Sequence, residues 1–260
     1  MLRPRTVRLW GLLLALFAFG AAAAGDLPRV RSGIEYASGN IRSMQADDFA
    51  NPGMLWVTRG EKLWNTPDGS SGKSCAGCHR DAASSMKGVA THYPLKDRGT
   101  GRLLNLEARI NHCRETRQGA EPYRYETDEL LGLTAYVAHQ SRGMPLQVRV
   151  NDDNRMHYER GKAIYYRRQG QMNLACTHCH ERNAGRRLLS ETISEGHGNA
   201  YPIYRLEWQS AGSLQRRLRS CYFGVRAGLP EFGSEELLDL EFFLAQRAAG
   251  LKVETPGVRR

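Results

Sequence analysis

Apolar residues recur at helical spacing in two segments that each open with a pair of acidic residues. The apolar positions are Leu130, Leu133 and Val137 in the segment 128–140, and Leu237, Leu238, Leu240, Phe243 and Leu244 in the segment that starts at Glu235. Thr127 and Ser234 immediately precede the acids and are good N-caps, and the acids suit the positive end of a helix dipole. The pattern predicts two amphipathic helices, which end before Gly143 and Gly250.

Elsewhere the pattern also favours helices over strands. Residues 213–221 can form a short helix with Leu214 and Leu218 on its apolar side. The run from Leu146 to Val150 is the one convincing β-like segment. We therefore expect a mainly α fold.

The first 24 residues have the pattern of an export signal. Three early arginines form a cationic start, 10–19 is apolar, and Ala21 to Ala24 are the small residues that a signal peptidase needs near its cut. The apolar stretch is shorter than the about 20 residues of a membrane-spanning helix. We expect cleavage after Ala24 and a periplasmic mature protein without a membrane span. An uncleaved anchor is the alternative.

Composition indicates a globular chain with a positive charge. Of 260 residues, 41% are hydrophobic and 25% are charged, which excludes a collagen-like or disordered chain and suits one or two domains. The formal net charge is +10, and because the three signal arginines carry +3, the mature chain carries +7. This charge favours anionic substrates or acidic protein partners. We expect no nucleic-acid partner.

The six cysteines follow a pattern that packing does not explain. Two stretches, 75–79 and 176–180, have the form Cys-x-x-Cys-His, which is the signature of c-type haem attachment. Two thiols at this spacing can add to the two vinyl groups of one porphyrin, and the next residue presents an imidazole to the iron. We therefore predict two covalently bound haem c groups. The attachment residues are Cys75, Cys78, Cys176 and Cys179, and the proximal iron ligands are His79 and His180.

The surroundings of the two motifs also match. Gly60 precedes Cys75 by the same interval in the sequence as Gly161 precedes Cys176. Each motif precedes a lone cysteine and then one of the amphipathic helices. This order resembles the class I cytochrome c fold and predicts two tandem cytochrome c-like domains related by internal duplication, with an N-terminal extension. The predicted units are a signal peptide at 1–24, the extension with the first domain at 25–150, and the second domain at 151–260, after the polar turn Asn151 to Asn154.

The second axial ligand of each haem is expected between the motif and the terminal helix. These loops contain Cys113, downstream of His79, and Cys221, downstream of His180. Methionine is the usual ligand, but no methionine follows Met172. We favour two thiolate-ligated haems, whose potentials should lie well below that of a His/Met site.

Two alternatives to thiolate ligation stay open at this point. A histidine could ligate instead, namely His112 at the first site or His197 at the second. A disulfide between Cys113 and Cys221 is chemically allowed outside the cytoplasm, but it would leave both irons without an obvious distal donor.

An arginine is well placed beside Cys221. On a helix, Arg217 and Cys221 are four residues apart and share a face. A guanidinium there would lower the thiol pKa and could bind an oxyanion through paired hydrogen bonds, or it could instead neutralise a haem propionate. For Arg216 and Arg219 we favour contacts with propionates or solvent.

The residues Arg217-Leu-Arg-Ser-Cys221-Tyr-Phe-Gly-Val-Arg-Ala-Gly228, together with two haem motifs and a lone cysteine after each, resemble the SoxA family of thiosulfate-oxidising cytochromes. The resemblance covers essentially the whole mature chain. It implies that Cys221 is the catalytic residue, which carries a persulfide and ligates haem, and that Arg217 binds substrate. It also implies that Cys113 ligates the first haem.

The same resemblance implies the activity of an L-cysteine S-thiosulfotransferase. Thiosulfate would be coupled oxidatively to a cysteine of the sulfur-carrier protein SoxYZ, with two electrons passed to a cytochrome c acceptor. The implied partner is SoxX, a mono-haem cytochrome that would complete a heterodimer. The alternative from another class is a plain di-haem electron carrier in which Cys221 is only a ligand. A peroxidase is a third possibility, but it would need an open distal position.

Overall fold

The structure is a computed structural model that describes Met1 and residues 29–260. The predicted signal peptide therefore lies, apart from Met1, outside the described residues and stays a prediction. Within the described part of the chain, no helix is long and apolar enough to cross a membrane.

Helices dominate the described chain, as predicted. The α-helices are α1 (Gly39–Ala46), α2 (Met54–Asn65), α3 (Cys75–His79), α4 (Ala82–Ser85), α5 (Leu106–Cys113), α6 (Asp128–His139), α7 (Arg155–Tyr166), α8 (Cys176–His180), α9 (Leu214–Gly224) and α10 (Glu235–Arg247). The strands are β1 (Leu95–Lys96), β2 (Leu103–Leu104), β3 (Arg187–Leu188), β4 (Glu191–Thr192), β5 (Ile203–Arg205), β6 (Ser210–Gly212) and β7 (Gly257–Arg259). Short 3₁₀ turns cover Gly33–Tyr36 and Val89–His92, and a π turn covers Arg114–Gln118.

The predicted amphipathic helices are confirmed as α6 and α10. The hydroxyls of Thr127 and Ser234 accept from the backbone N–H groups of Leu130 and Leu237, so both predicted caps form. Their apolar residues are almost fully buried, and Leu130, Leu237 and Leu240 are 0% exposed. Burial of a Leu side chain contributes about 2 kcal/mol, so these helices are fixed mainly by packing.

Two helix pairs cross at glycines in the same way. A Cβ on Gly60 in α2 would lie 2.0 Å from the carbonyl oxygen of Gly132 in α6, and a Cβ on Gly161 in α7 would lie 2.0 Å from that of Asp239 in α10. No side chain fits at either position. The two glycines that precede the motifs at equal intervals are therefore the points where each motif-bearing half closes on its terminal helix.

The strand predicted at Leu146–Val150 is wrong. The amide of Leu146 donates to Leu251 O, whereas the amide of Gln147 donates to Thr91 O, so the segment is bonded to two different parts of the chain. Leu146 and Val148 are nevertheless buried. The apolar run reflects burial in two core clusters and not membership of a sheet.

The sheets that do form are small. Strands β1 and β2 form one antiparallel hairpin and β3 and β4 another, while β5 lies between antiparallel β6 and parallel β7. Residues before α2 pack on β7, because Gln45 Oε1 accepts from Val258 N at 2.9 Å and Asn51 Nδ2 donates to Pro256 O at 2.9 Å. The N-terminal extension is thus tied to the end of the chain.

The turn at 151–154 forms as predicted. Asn151 N donates to Asn154 Oδ1 at 2.8 Å, and Asn154 N donates to Asn151 Oδ1 at 3.2 Å. Helix α7 starts directly after it. The turn separates the two motif-bearing halves along the chain, and a domain boundary there stays a prediction.

Candidate haem and substrate site

Both Cys-x-x-Cys-His motifs form a single helical turn, α3 and α8. In α3, the hydroxyl of Ser74 accepts from Gly77 N at 3.0 Å and fixes the start of the turn. A turn of this length places its first and fourth residues on one side, so each cysteine pair faces one place.

A backbone ladder ties each motif to the segment after its lone cysteine. In the first half, the amides of Ser70 and Ser71 donate to the carbonyls of Gly119 and Gln118; in the second, those of Gln171 and Met172 donate to Arg226 and Val225. These ladders bring α5, which ends at Cys113, and α9, which carries Cys221, back over their motifs.

The second site brings His180 and Cys221 together. The Nδ1 of His180 lies 2.8 Å from Ser194 O, and since a carbonyl can only accept, this nitrogen is the donor and Nε2 is the nitrogen that can interact with a second group. The ring lies against Gly196, where a Cβ would approach it to 2.8 Å. On its other side, the thiol of Cys221 lies within hydrogen-bond reach of the imidazole.

The thiols of the second site differ in acidity. Burial alone would raise the pKa of Cys221, but the hydrogen bond with His180 and the charge of Arg217 lower it to about 7. Burial, with the neighbouring Cys221, raises the pKa of Cys176 to about 11. The thiolate form, which is the nucleophile and the metal ligand, is therefore favoured at Cys221.

Arg217 lies beside Cys221, as the helical spacing predicts. Among residues 29–260 it forms no ion pair and no side-chain hydrogen bond, and its nearest charges include Cys221. The expectation for Arg216 and Arg219 stays a prediction, and the structure adds aromatic contacts: the Arg216 guanidinium covers the Trp208 ring at 4.1 Å, and that of Arg219 covers Phe232 at 4.5 Å. Aromatic faces stabilise these two cations, which leaves Arg217 as the available guanidinium on α9.

The first site has the same parts in a more open arrangement. Cys113 lies close to Cys75 and Cys78. The charge of Cys113 acts on the thiol of Cys75, and the charge of Cys78 acts on the thiol of Cys113. Burial raises the pKa of the Cys113 thiol. His79 is exposed and its ring lies 5.7 Å from that of Trp64. Thus the structure brings the three cysteines together, while His79 lies at the surface.

Two alternatives for the distal side, the disulfide and His197, find no support, whereas ligation by His112 stays an alternative at the first site. All six cysteines are free in the described chain, so the disulfide between Cys113 and Cys221 is absent there. His197 Nε2 is engaged with Glu195 Oε2 at 3.1 Å, and the group that faces His180 is Cys221.

The donor set fits a covalently attached haem. Two cysteines precede a histidine whose Nδ1 is engaged by a carbonyl, an arrangement that orients Nε2 towards iron and raises its basicity. The soft sulfur donor of Cys221 faces this imidazole. His180 and Cys221 would hold the iron of the second haem, while Cys176 and Cys179 would hold its porphyrin.

Comparison with known proteins decides the family. A family model described as SoxA/TsdA, cytochrome c domain, matches residues 59–146. The L-cysteine S-thiosulfotransferase subunit SoxA of Pseudaminobacter salicylatoxidans is 44% identical over 230 residues, covering 88% of this chain and 80% of that protein. The chain belongs to the SoxA family. The SoxA subunit of Rhodovulum sulfidophilum is 35% identical and covers 92% of this chain and 83% of its own length.

A solved structure supports the same assignment. The crystal structure of SoxXA from P. pantotrophus matches with a TM-score of 0.86 at 35% identity, over 89% of this chain and 87% of the matched chain. The predicted SoxA resemblance and cytochrome c fold are confirmed. The matched domain includes the first Cys-x-x-Cys-His motif, so covalently bound haem c is a property of this SoxA chain.

A second correspondence between the halves escaped the sequence analysis. Residues 93–113 align without a gap with residues 201–221. Each segment consists of a Tyr-Pro pair, a short antiparallel hairpin, an N-cap and a helix, and each has an arginine four residues before the lone cysteine, Arg109 and Arg217. The Tyr-Pro, Leu, Arg and Cys residues that match between the two segments could have revealed this correspondence in the sequence. Ser194 and Gly196, in contrast, follow no motif, and only the fold shows that they position His180.

Proposed function

We propose that this SoxA chain is the catalytic subunit of an L-cysteine S-thiosulfotransferase, which couples thiosulfate to a cysteine of the sulfur-carrier protein SoxYZ. The observation that carries the proposal is the position of Cys221, between the imidazole of His180 and the guanidinium of Arg217, which has no ion pair within residues 29–260. The names of the relatives support the same activity. The pairing of a half-buried, acidic thiol with a free cation suits an anionic sulfur substrate.

The residues of the second site have separate tasks in this reaction. Arg217 binds the sulfonate oxygens of thiosulfate through charge-assisted hydrogen bonds, so that the outer sulfur points to Cys221. The sulfur on Cys221, as thiolate or persulfide, takes part in the exchange. Overall, thiosulfate and the carrier thiol form one S–S bond and release one proton and two electrons. His180 and Cys221 would hold a haem that, when bound, would give these electrons a route to a cytochrome c acceptor.

We further propose two haem c groups in two cytochrome c-like domains that arose by duplication. The first would be held by Cys75, Cys78, His79 and Cys113, and the second by Cys176, Cys179, His180 and Cys221. Support comes from the equal glycine crossings at Gly60 and Gly161 and from the gap-free alignment of the two cysteine-bearing segments. The domains would be 25–150 and 151–260.

SoxX is the proposed partner, because the matched solved structure is a SoxXA complex. We place the complex in the periplasm, in line with the export signal predicted at 1–24 and with the covalent haem chemistry. The positive charge of the chain would help to attract the thiosulfate dianion and an acidic carrier.

Arg217→Ala tests the proposal in the holo complex. Thiosulfate turnover should fall at least tenfold, while both haem spectra persist, because one charge-assisted hydrogen bond to the substrate is lost. Arg216→Ala is the matched control, since Arg216 is on the same helix but packs on Trp208. Equal turnover in Arg217→Ala and wild type would contradict the substrate role.

Mass spectrometry separates the proposed enzyme from a plain di-haem carrier. A peptide with an additional sulfur on Cys221 supports transfer chemistry at this residue. An unmodified thiol in every preparation, together with unchanged turnover of Arg217→Ala, would favour the carrier.

A further inference from the structure

The two arginines that precede the lone cysteines have different surroundings. In the first half, Arg109 Nη2 donates to Asp97 Oδ2 at 2.5 Å and Arg109 Nε donates to the Tyr93 hydroxyl at 3.2 Å. In the second half, Arg217 has no such contact with any residue of 29–260. One guanidinium is therefore occupied by a carboxylate, and the other is available to an external anion.

The position of Asp97 is occupied by a cation in the second half. In the gap-free alignment of the two segments, Asp97 corresponds to Arg205, and both lie four residues after the tyrosine of a Tyr-Pro pair. Both are in the hairpin that precedes the cysteine-bearing helix, Asp97 directly after β1 and Arg205 at the end of β5. The side-chain charge at this position is thus negative in the first half and positive in the second, although the two segments are otherwise similar.

Arg205 holds two carboxylates whose charges act on Arg217. Its side chain is 4% exposed, and it donates from Nη2 to Glu191 Oε1 at 2.9 Å and from Nε to Glu207 Oε1 at 3.1 Å. Glu191 and Glu207 also act on Arg217, but only from beyond ion-pair distance. Without Arg205, these carboxylates would be free to pair with Arg217, on which their charges already act.

We propose that Arg205 is the positioning residue that makes the second site selective for an oxyanion, because it retains Glu191 and Glu207 and so keeps Arg217 unpaired. Asp97 has the opposite effect in the first site, where it pairs with Arg109. This inference rests on the proposed function, since the oxyanion is the sulfonate of thiosulfate. Consistent with the geometry, the charge of Arg205 also acts on the Cys221 thiol. The proposal explains why one of two similar haem sites would take substrate.

The first test compares Arg205→Ala with Arg205→Lys in the holo complex. Arg205→Ala should raise KM for thiosulfate about tenfold or more with a much smaller change in kcat, because the released glutamates pair with Arg217. Arg205→Lys should recover part of this loss, since it keeps a cation for the carboxylates. An unchanged KM in Arg205→Ala, measured alongside a raised KM in Arg217→Ala, would overturn the proposal while leaving the proposed function in place.

A multiple variant separates this mechanism from structural damage. Adding Glu191→Gln and Glu207→Gln to Arg205→Ala removes both competing carboxylates and should return KM towards the wild-type value. Damage to β5 would leave KM high in this variant, which would overturn the proposal. Calorimetry of thiosulfate binding in the absence of the carrier measures the affinity directly, independently of turnover. The affinity should be high in the wild type, low in Arg205→Ala and restored in the multiple variant. If wild type and Arg217→Ala bind thiosulfate equally, it is the proposed function that fails.

The first site provides the converse test. Asp97→Asn should release Arg109, so that thiosulfate changes the electron paramagnetic resonance signal of the first haem, which it leaves unchanged in wild type. Asp153→Asn, at an exposed acid, is the control. A first-haem signal that stays insensitive to thiosulfate in Asp97→Asn would contradict the role assigned to the reversed charge.

Discussion

A buried pair of carboxyl groups should make the stability of this SoxA chain depend on pH near neutrality. Glu107 in α5 is 9% exposed and Glu241 in α10 is 5% exposed. They approach each other where the two halves meet, beside a cavity of about 100 Å³. The amide nitrogens of Asn105 and Gln215 flank Glu241, and their amide oxygens are already engaged by Ala108 N, the Tyr125 hydroxyl and Gly233 N. The two amide nitrogens therefore face the carboxyl group of Glu241.

The sign of the pH effect follows from the direction of the pKa change. Burial, with the nearby charge of Glu126, raises the pKa of Glu107 from 4.5 to about 7, and burial with the charge of Glu107 raises that of Glu241. Between pH 4.5 and about pH 7, Glu107 in the folded state binds a proton that it has released in the unfolded state. Stability is therefore greatest below about pH 4.5 with respect to this group, and it falls as pH rises through about 7. A pKa difference of this size corresponds to roughly 3 kcal/mol.

Glu107→Gln should remove this dependence. Glutamine stands at the equivalent position of the second half, Gln215, and it has no charge to bury. We expect the variant to be more stable than wild type at pH 8 by up to roughly 3 kcal/mol and to differ little at pH 5. The assay is urea unfolding of the holoprotein, followed by circular dichroism from pH 5 to pH 8. Glu159→Gln, on an exposed part of α7, is the control. If the Glu107→Gln variant retained the wild-type slope of stability against pH, the pH dependence could not be assigned to Glu107.

Three further outcomes follow from other contacts. Gly161→Ala should lower the free energy of unfolding by several kcal/mol, because its Cβ would lie 2.0 Å from a backbone oxygen. The control Gly39→Ala should have little effect, because a Cβ there has nothing within 4 Å. Thermal unfolding of both variants measures the difference. Gly196→Ala should displace the His180 ring and change the electron paramagnetic resonance signal of the second haem, leaving that of the first unchanged. Hydrogen bonds from Arg109 and Thr100 hold the pKa of Asp97 below its usual range, so this contribution to stability is present at neutral pH and lost in acid. Asp97→Asn should therefore unfold with a weaker dependence on pH on the acid side, which urea titrations at pH 3 to pH 6 can measure.

Features that depend only on neighbours along the chain could be predicted from the amino-acid sequence alone. The attachment motifs need only their own five residues, and helices α6 and α10 follow from a cap, acidic first turns and apolar spacing. The spacing of Arg217 and Cys221 on one helix face is of the same kind. These features are local because helix geometry fixes the relation between residues three or four positions apart.

Features that depend on contacts between distant segments became visible only in the folded chain. The run at 146–150 has the composition of a strand, but its amides bond to two separate parts of the chain. Arg109 and Arg217 have the same spacing to a cysteine, yet Asp97 pairs with one while Arg205 keeps carboxylates from the other. Glu107 and Glu241 meet although they belong to opposite halves of the sequence. Charge pairing and burial act through space, so the surroundings that set the chemistry of each residue arise only when the halves pack together.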